Sequence, residues 1–311
     1  MYDLIIIGGG VAGFSAALYA GRFQLKTLVI SEKTGGTLIL AGDVSNYPGF
    51  ESISGLELFD NVKNHAQKYG VEVVEKKVEK LENCDYCFKV SVNDKTFKTK
   101  TIIFATGTEW RKLKVPGEKE FANKGVHYCA LCDGAFYKDK VIAVVGGSDS
   151  ASKEALLLTE YAKKVYIIYR KDNIRAEPIN LKRVMENKKI EIINKTNVTK
   201  VKGDKFVNGV LLDKEYNGSK ELKLDATFIS IGHIPISKLA ESIDVKRNEK
   251  GEIITDEDSA TNIKGVFACG DVVDSKFKQA ITGAAEGVIA AYNVYQYITN
   301  EVPVCGCSGD S

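Results

Sequence analysis

Leu4-Ile5-Ile6-Ile7-Gly8-Gly9-Gly10-Val11-Ala12-Gly13 is the stretch that decides the fold. A short unbroken apolar run predicts a parallel strand buried on both faces. Glycines follow at once, and then an Ala-rich segment that reads as a helix from about Phe14 to Arg22. In such a fingerprint Gly8 makes the tight turn, Gly10 lets the backbone approach a pyrophosphate, and Gly13 lets helix and strand pack closely. The helix N-terminus then faces the anion. A second strand is expected at Thr27-Leu-Val-Ile30. Glu32, 19 residues after Gly13, stands where an acid accepts a hydrogen bond from an adenosine ribose.

The pattern returns once. Val141-Ile-Ala-Val-Val145 leads into Gly146-Gly147-Ser148-Asp149-Ser150-Ala151, a helix to about Ala162 and a strand at Val165-Tyr-Ile-Ile-Tyr169. Between the two fingerprints, Cys87–Val92 and Thr96–Thr99 read as a short antiparallel meander turning at Asn93-Asp94. Thr101-Ile-Ile-Phe104 then returns to a parallel strand ending at Ala105-Thr106-Gly107. After the second unit the chain reaches Gly265-Val-Phe-Ala-Cys269-Gly270-Asp271 and a helix from about Gln279 through Tyr297. The expected fold class is α/β, with two Rossmann-like (three-layer ββα) dinucleotide-binding domains, the second inserted into the first. Residues 1–112 and 238–311 form the first domain and 113–237 the inserted one. A flexible C-terminal tail is expected from about residue 304.

Cys129-Ala-Leu-Cys132-Asp133 lies just before the second fingerprint. A two-residue spacer lets two thiols close a small ring and cycle between dithiol and disulfide. Asp133 adds a carboxyl group beside the sulfurs. A dithiol between two dinucleotide sites implies electrons passing from a cofactor to sulfur. The competing reading is a structural pair or half a zinc site, with Cys84 and Cys87 as the other ligands. Those two belong to the meander of the first domain, which argues against zinc, and no metal is expected.

Composition sets limits. With 311 residues, 44% apolar, 27% charged and a net charge of +2, the chain suits a globular protein of about two domains. No broad basic field points to nucleic acid, and no apolar run approaches a membrane span. Met1-Tyr2-Asp3 leads straight into a strand, so the expected location is cytoplasmic. Seven cysteines is an odd number, without the spacing of a secreted disulfide framework.

Taken together, the chain resembles the low-molecular-weight thioredoxin reductases over nearly its whole length. The matching stretches are the first fingerprint, Gly35-Gly36-Thr37-Leu38, Asn46-Tyr47-Pro48-Gly49, Ala105-Thr106-Gly107 and Cys129–Asp133. They continue with Gly232-His233-x-Pro235, Gly270-Asp271-Val272 and Lys278-Gln279-Ala280-Ile281-Thr282. The resemblance implies FAD in the first domain, a pyridine nucleotide in the second, thioredoxin or a glutaredoxin-like protein as substrate, and a homodimer. It assigns Gly8, Gly10, Gly13, Ser31, Glu32, Gly36, Thr37 and Leu38 to the FAD adenosine and pyrophosphate. Asn46, Thr106, Gly107, Asp271, Gln279, Ala280 and Ile281 would lie along the rest of the flavin. Cys132 would be the sulfur nearest the flavin, Cys129 the one that attacks thioredoxin, and Asp133 the acid–base group.

The electron-donor site departs from the pattern. Relatives that use NADPH usually carry glycine where this chain has Ser148, and a side chain there intrudes on the space of a pyrophosphate. The family's His-Arg-Arg-x-x-x-Arg appears as Tyr169-Arg170-Lys171-Asp-Asn-Ile-Arg175. Three cations and no acid at the ribose position favour a 2′-phosphate, hence NADPH bound by Gly146, Gly147, Ser148, Arg170, Lys171 and Arg175. The alternative is a thioredoxin reductase fed by ferredoxin, independent of pyridine nucleotide. A flavoprotein redox sensor without turnover is a third reading, against which the aligned Asp133 argues.

Other residues carry less. Cys269 reads as a buried hydrophobe, Cys84 and Cys87 as incidental, and Cys305 and Cys307 as spare thiols in the tail. His65 reads as solvated and His233 as part of a turn, while His127 either tunes the thiols or packs.

Overall fold

The computed structural model describes residues 1–41, 43–84 and 87–300. The expectations for Cys305, Cys307 and the tail lie outside them. The chain divides into two compact units, Met1–Glu109 with the residues from Ile234 onward, and Trp110–His233. These limits fall a few residues ahead of those expected at 113 and 237.

The first segment runs β1 (Tyr2–Ile7), α1 (Val11–Arg22), β2 (Thr27–Ser31), α2 (Gly55–Gln67), β3 (Glu72–Glu75), β4 (Lys80–Cys84), β5 (Cys87–Val92) and β6 (Lys95–Phe104). The second unit holds β7 (Val126–His127), α3 (Ala130–Asp133), β8 (Val141–Val145), α4 (Asp149–Leu158), β9 (Lys164–Ile168), α5 (Pro178–Glu186) and β10 (Ile190–Ile193). It goes on to β11 (Val198–Gly203), β12 (Val207–Tyr216), β13 (Ser219–Lys223) and β14 (Ala226–Ile229). β15 (Val266–Ala268) and α6 (Ala280–Asn300) complete the first unit.

In the first unit the strand order is β3-β2-β1-β6-β5-β4, with β15 added to β6. β1 is central and parallel to both neighbours, Ile6 facing Val29 and Ile103. Its side chains alternate between two cores. Leu4 and Ile6 pack with α1, α2 and α6, and Ile5 and Ile7 pack with the β4–β5 hairpin and the segment from Ala240 to Val273. Both faces are covered, so the run is continuously apolar instead of alternating. Each isoleucine so buried contributes about 1.5–3 kcal/mol.

One expectation is corrected. The residues read as a meander strand followed by a separate parallel strand form a single ten-residue strand, β6. Its first half pairs antiparallel with β5 and its second half parallel with β1 and β15. Lys100 lies within it, and its Nζ reaches Asp3 Oδ1 at 2.8 Å.

The second unit repeats the plan in smaller form. Five parallel strands stand in the order β7-β14-β8-β9-β10, beside an antiparallel sheet β11-β12-β13. Among the described residues no helix is long and apolar enough to cross a membrane.

Candidate redox and nucleotide sites

The first fingerprint separates glycines the fold needs from one it does not. A Cβ on Gly8 would lie 2.1 Å from the Ala105 carbonyl oxygen, and one on Gly13 would lie 2.1 Å from that of Gly8. Gly8 also has φ +119°, so protein packing alone demands glycine at both. A Cβ on Gly10 would meet nothing within 4 Å. Gly10 is also the N-cap of α1 and offers no side-chain cap. The helix N-terminus therefore opens onto free space with its first N–H groups bare, which suits an anion.

Several other candidate flavin residues pack on this turn or are joined to one another. Gly36 sits against Gly10, and the Gly35 N–H donates to the Gly9 carbonyl at 2.8 Å, folding the Ser31–Leu38 loop over the turn. Ser31 is buried and bonds the Lys33 carbonyl at 2.7 Å, whereas Glu32 and Thr37 are exposed and Leu38 is buried. Gly270, next to Asp271, packs on Ala12. Asn46 Nδ2 donates to Gln279 Oε1 at 3.0 Å across 233 residues of chain. Gln279 leads into α6 at Ala280 and Ile281. Thr106 and Gly107 are tied to Ile236, by a Thr106 hydroxyl bond of 2.6 Å and an Ile236 N–H to Gly107 bond of 2.9 Å.

The second fingerprint is built alike up to its third place. A Cβ on Gly146 would meet the Ser230 carbonyl oxygen at 2.0 Å, and one on Gly147 would enter the Tyr169 ring at 2.4 Å. At the third place Ser148 caps α4 itself, its Oγ accepting from the Ala151 N–H at 3.3 Å. The Arg175 N–H donates to the Gly147 carbonyl at 2.7 Å. Asp149 fastens the same loop, accepting from the Glu177 N–H at 2.8 Å and from Asn180 Nδ2 at 2.9 Å, with Lys153 Nζ 2.7 Å away. Hydrogen bonds from Lys153, Asn180 and the Glu177 N–H outweigh burial and hold the Asp149 carboxyl below its usual range. Arg170, Lys171 and Arg175 are all exposed.

Cys129 and Cys132 form a disulfide with Cα atoms 5.3 Å apart. Cys129 is the N-cap of the short helix α3, and the Cys132 N–H donates to its Sγ at 3.1 Å. A thiolate at Cys129 would keep that donor, which favours its charged form. Cys132 is exposed and Cys129 half-buried. Leu131 is 37% and Phe136 79% exposed, so an apolar rim stands in solvent beside the sulfurs. Asp133 Oδ2 lies 3.0 Å from His127 Nδ1.

Three further groups take their surroundings from packing. His127 is 5% exposed and its Nε2 lies 2.7 Å from the Tyr137 hydroxyl. Glu286 accepts from the Gly270 N–H at 2.7 Å, and burial pushes its carboxyl up. Glu118, 5% exposed, accepts from the Leu113 and Lys114 N–H groups and from the Tyr128 hydroxyl, at 2.8, 2.5 and 2.7 Å. In the sequence Glu118 and Glu286 are lone acids in an ordinary context, a signal too weak to single them out, whereas His127 stands out by its place two residues before Cys129, with tuning and packing both open. Of the other described cysteines, Cys269 is buried as its sequence reading has it, which pushes its thiol up. Cys84 and Cys87 face each other across the edge hairpin.

The family model for pyridine nucleotide-disulphide oxidoreductases matches residues 2–287. Over 301 residues the chain is 40% identical to the thioredoxin reductase of Bacillus subtilis (strain 168), covering 96% of this chain and 95% of that protein. The Lactococcus lactis thioredoxin reductase structure matches with a TM-score of 0.92 at 38% identity, over 96% of this chain and 99% of that one. A ferredoxin-flavin thioredoxin reductase from Clostridium acetobutylicum matches at 31% identity and a TM-score of 0.52, over 96% and 98% of the two chains. By these matches, which embrace both fingerprints and the disulfide between them, the chain belongs to the pyridine nucleotide-disulphide oxidoreductases and, within them, to the thioredoxin reductases.

Proposed function

We propose that this protein is an FAD-dependent thioredoxin-disulfide reductase that takes electrons from NADPH. The observation that carries this reading is the Cys129–Cys132 disulfide, exposed at Cys132 and flanked by the solvent-facing Leu131 and Phe136. A buried structural disulfide needs no such rim; a partner protein carrying its own disulfide does.

The residues fit the cofactors the family implies. The bare N-terminus at Gly10, enclosed by Gly36, gives a pyrophosphate both room and donors. FAD, when bound, supplies a two-electron relay between the nucleotide and the disulfide. Gly8 and Gly13 shape its cradle. Ser31, Glu32, Thr37 and Leu38 would lie toward the adenosine, and Asn46, Thr106, Gly107, Asp271, Gln279, Ala280 and Ile281 toward the flavin.

Once the disulfide is reduced, Cys129 attacks the partner's disulfide. One partner sulfur leaves as a thiolate and a mixed disulfide forms. Cys132 then attacks Cys129, releasing the second partner thiol and re-forming the Cys129–Cys132 bond. Asp133 takes the Cys132 proton in this step and returns it when the pair is next reduced. The substrate is thioredoxin or a glutaredoxin-like protein. A homodimer, on the resemblance, and a cytoplasmic location complete the reading.

Stoichiometric NADPH added anaerobically should bleach the flavin absorbance, NADH should not, and thioredoxin should restore the colour. No bleaching by either nucleotide sinks the NADPH half of the reading. The second reading, ferredoxin as donor, is favoured by one observation, the self-capped turn at Ser148. Bleaching by reduced ferredoxin alone would decide for it.

A further inference from the structure

The geometry points to His127 as the positioning residue of Asp133, a role that rests on Cys129 and Cys132 being the working pair. His127 ends β7, two residues before Cys129. Its ring is stacked on Phe228 of β14, with centroids 5.3 Å apart, and meets Tyr137 edge-on at 5.3 Å. Each ring nitrogen has one polar neighbour, Tyr137 Oη at 2.7 Å from Nε2 and Asp133 Oδ2 at 3.0 Å from Nδ1. The Nδ1 contact is close but off line, short of a full hydrogen bond, so a small swing of the Asp133 side chain completes it.

These neighbours fix the tautomer. Burial pulls the His127 ring below its ordinary range against the opposing pull of Asp133, and burial with Asp133 and Asp225 pushes the Tyr137 hydroxyl up. A protonated hydroxyl can donate or accept, but the Asp133 oxygen facing Nδ1 is an acceptor, so the one proton of the neutral ring sits on Nδ1 and Nε2 receives the Tyr137 hydroxyl. Asp133 is the charge that acts on the ring, and Asp225, which acts on Tyr137, is paired with Lys140 at 3.7 Å. Among the described residues Asp133 alone is placed at Nδ1. A histidine that only packed would serve equally with its proton on either nitrogen.

The experiment uses the full flavoprotein, reduced with dithiothreitol and freed of it. A stopped-flow trace follows its stoichiometric reduction of a small aromatic disulfide, with no nucleotide donor present. Each protein gives up two electrons, re-forms Cys129–Cys132 and releases two small thiols. His127→Phe keeps the ring packing and should slow this step about tenfold through misplacement of Asp133, while His127→Asn, which restores a donor, should recover most of the rate. Nitrogen-15 NMR of the wild-type protein, with signals from His65, His127 and His233 alone, should show His127 neutral and protonated at Nδ1 around pH 7. A wild-type rate in His127→Phe, or a proton on Nε2, overturns the inference. The NMR result decides even where the Phe variant fails to fold. If the wild-type protein itself reduces no disulfide, the reductase reading fails instead, which keeps the two failures distinct.

Discussion

Ser148→Gly tests which glycines serve a ligand and which serve the fold. Ser148 is exposed and its backbone is extended, φ −86° and ψ 176°, so glycine fits without strain. The change removes one hydrogen bond, from the Ala151 N–H to Oγ. An N-cap Ser replaced by Gly costs only a few tenths of a kcal/mol. The gain is larger. The freed N–H becomes available to a nucleotide phosphate, and a hydrogen bond to a charged group contributes about 1.5 kcal/mol, or about a tenfold tighter dissociation constant. Anaerobic NADPH titration, read from flavin absorbance, and calorimetry with NADP+ should both report that gain. The mirror variant, Gly10→Ser, should loosen FAD about tenfold by the same reasoning, with little change in the stability of the apoprotein, since its Cβ meets nothing within 4 Å. Unchanged NADPH affinity in Ser148→Gly, with the fold intact, would refute the account of the second fingerprint.

Gly13→Ala places a Cβ 2.1 Å from the Gly8 carbonyl oxygen and should cost the apoprotein about 1–3 kcal/mol by overpacking, read from urea unfolding. Cys129→Ser and Cys132→Ser should each abolish turnover with a protein disulfide while flavin content stays at the wild-type level, and a turning-over serine variant sinks the dithiol mechanism. Phe136→Ala should raise KM for a protein disulfide about tenfold, by loss of apolar burial on docking, and leave a small disulfide unaffected; equal effects on both would remove Phe136 from the docking rim. Burial pushes the Glu154 carboxyl up to about 7, against one hydrogen bond from Ser230. A raised carboxylate is penalised only where it ionises, so native stability should fall as pH rises from about 4.5 toward 7. The loss is at most about 3 kcal/mol, since the residue as a whole is half-buried while its Oε2 is out of solvent. Glu154→Gln should flatten that fall in unfolding experiments at pH 5 and pH 8, and an unchanged slope counts against a desolvated carboxyl.

The sequence by itself determined what a few consecutive residues can enforce. Leu4–Ile7 has to be buried on both faces, Gly8 and Gly13 have to turn and pack, and two thiols separated by two residues can close on each other. These follow from side-chain periodicity and backbone geometry over one or two turns of chain. Tertiary structure decided everything whose partners are distant. The continuity of β6 depends on its pairing with β5 along one half and with β1 and β15 along the other, and the Asn46–Gln279 bond joins residues 233 apart. Glu118 reads as a surface acid until three donors converge on it. His127 is one polar residue in a strand until Phe228, Tyr137 and Asp133 close around it. The physical reason is that a local pattern constrains dihedral angles and burial, whereas hydrogen-bond partners and charge environments are set by which surfaces the packed sheets and helices bring together.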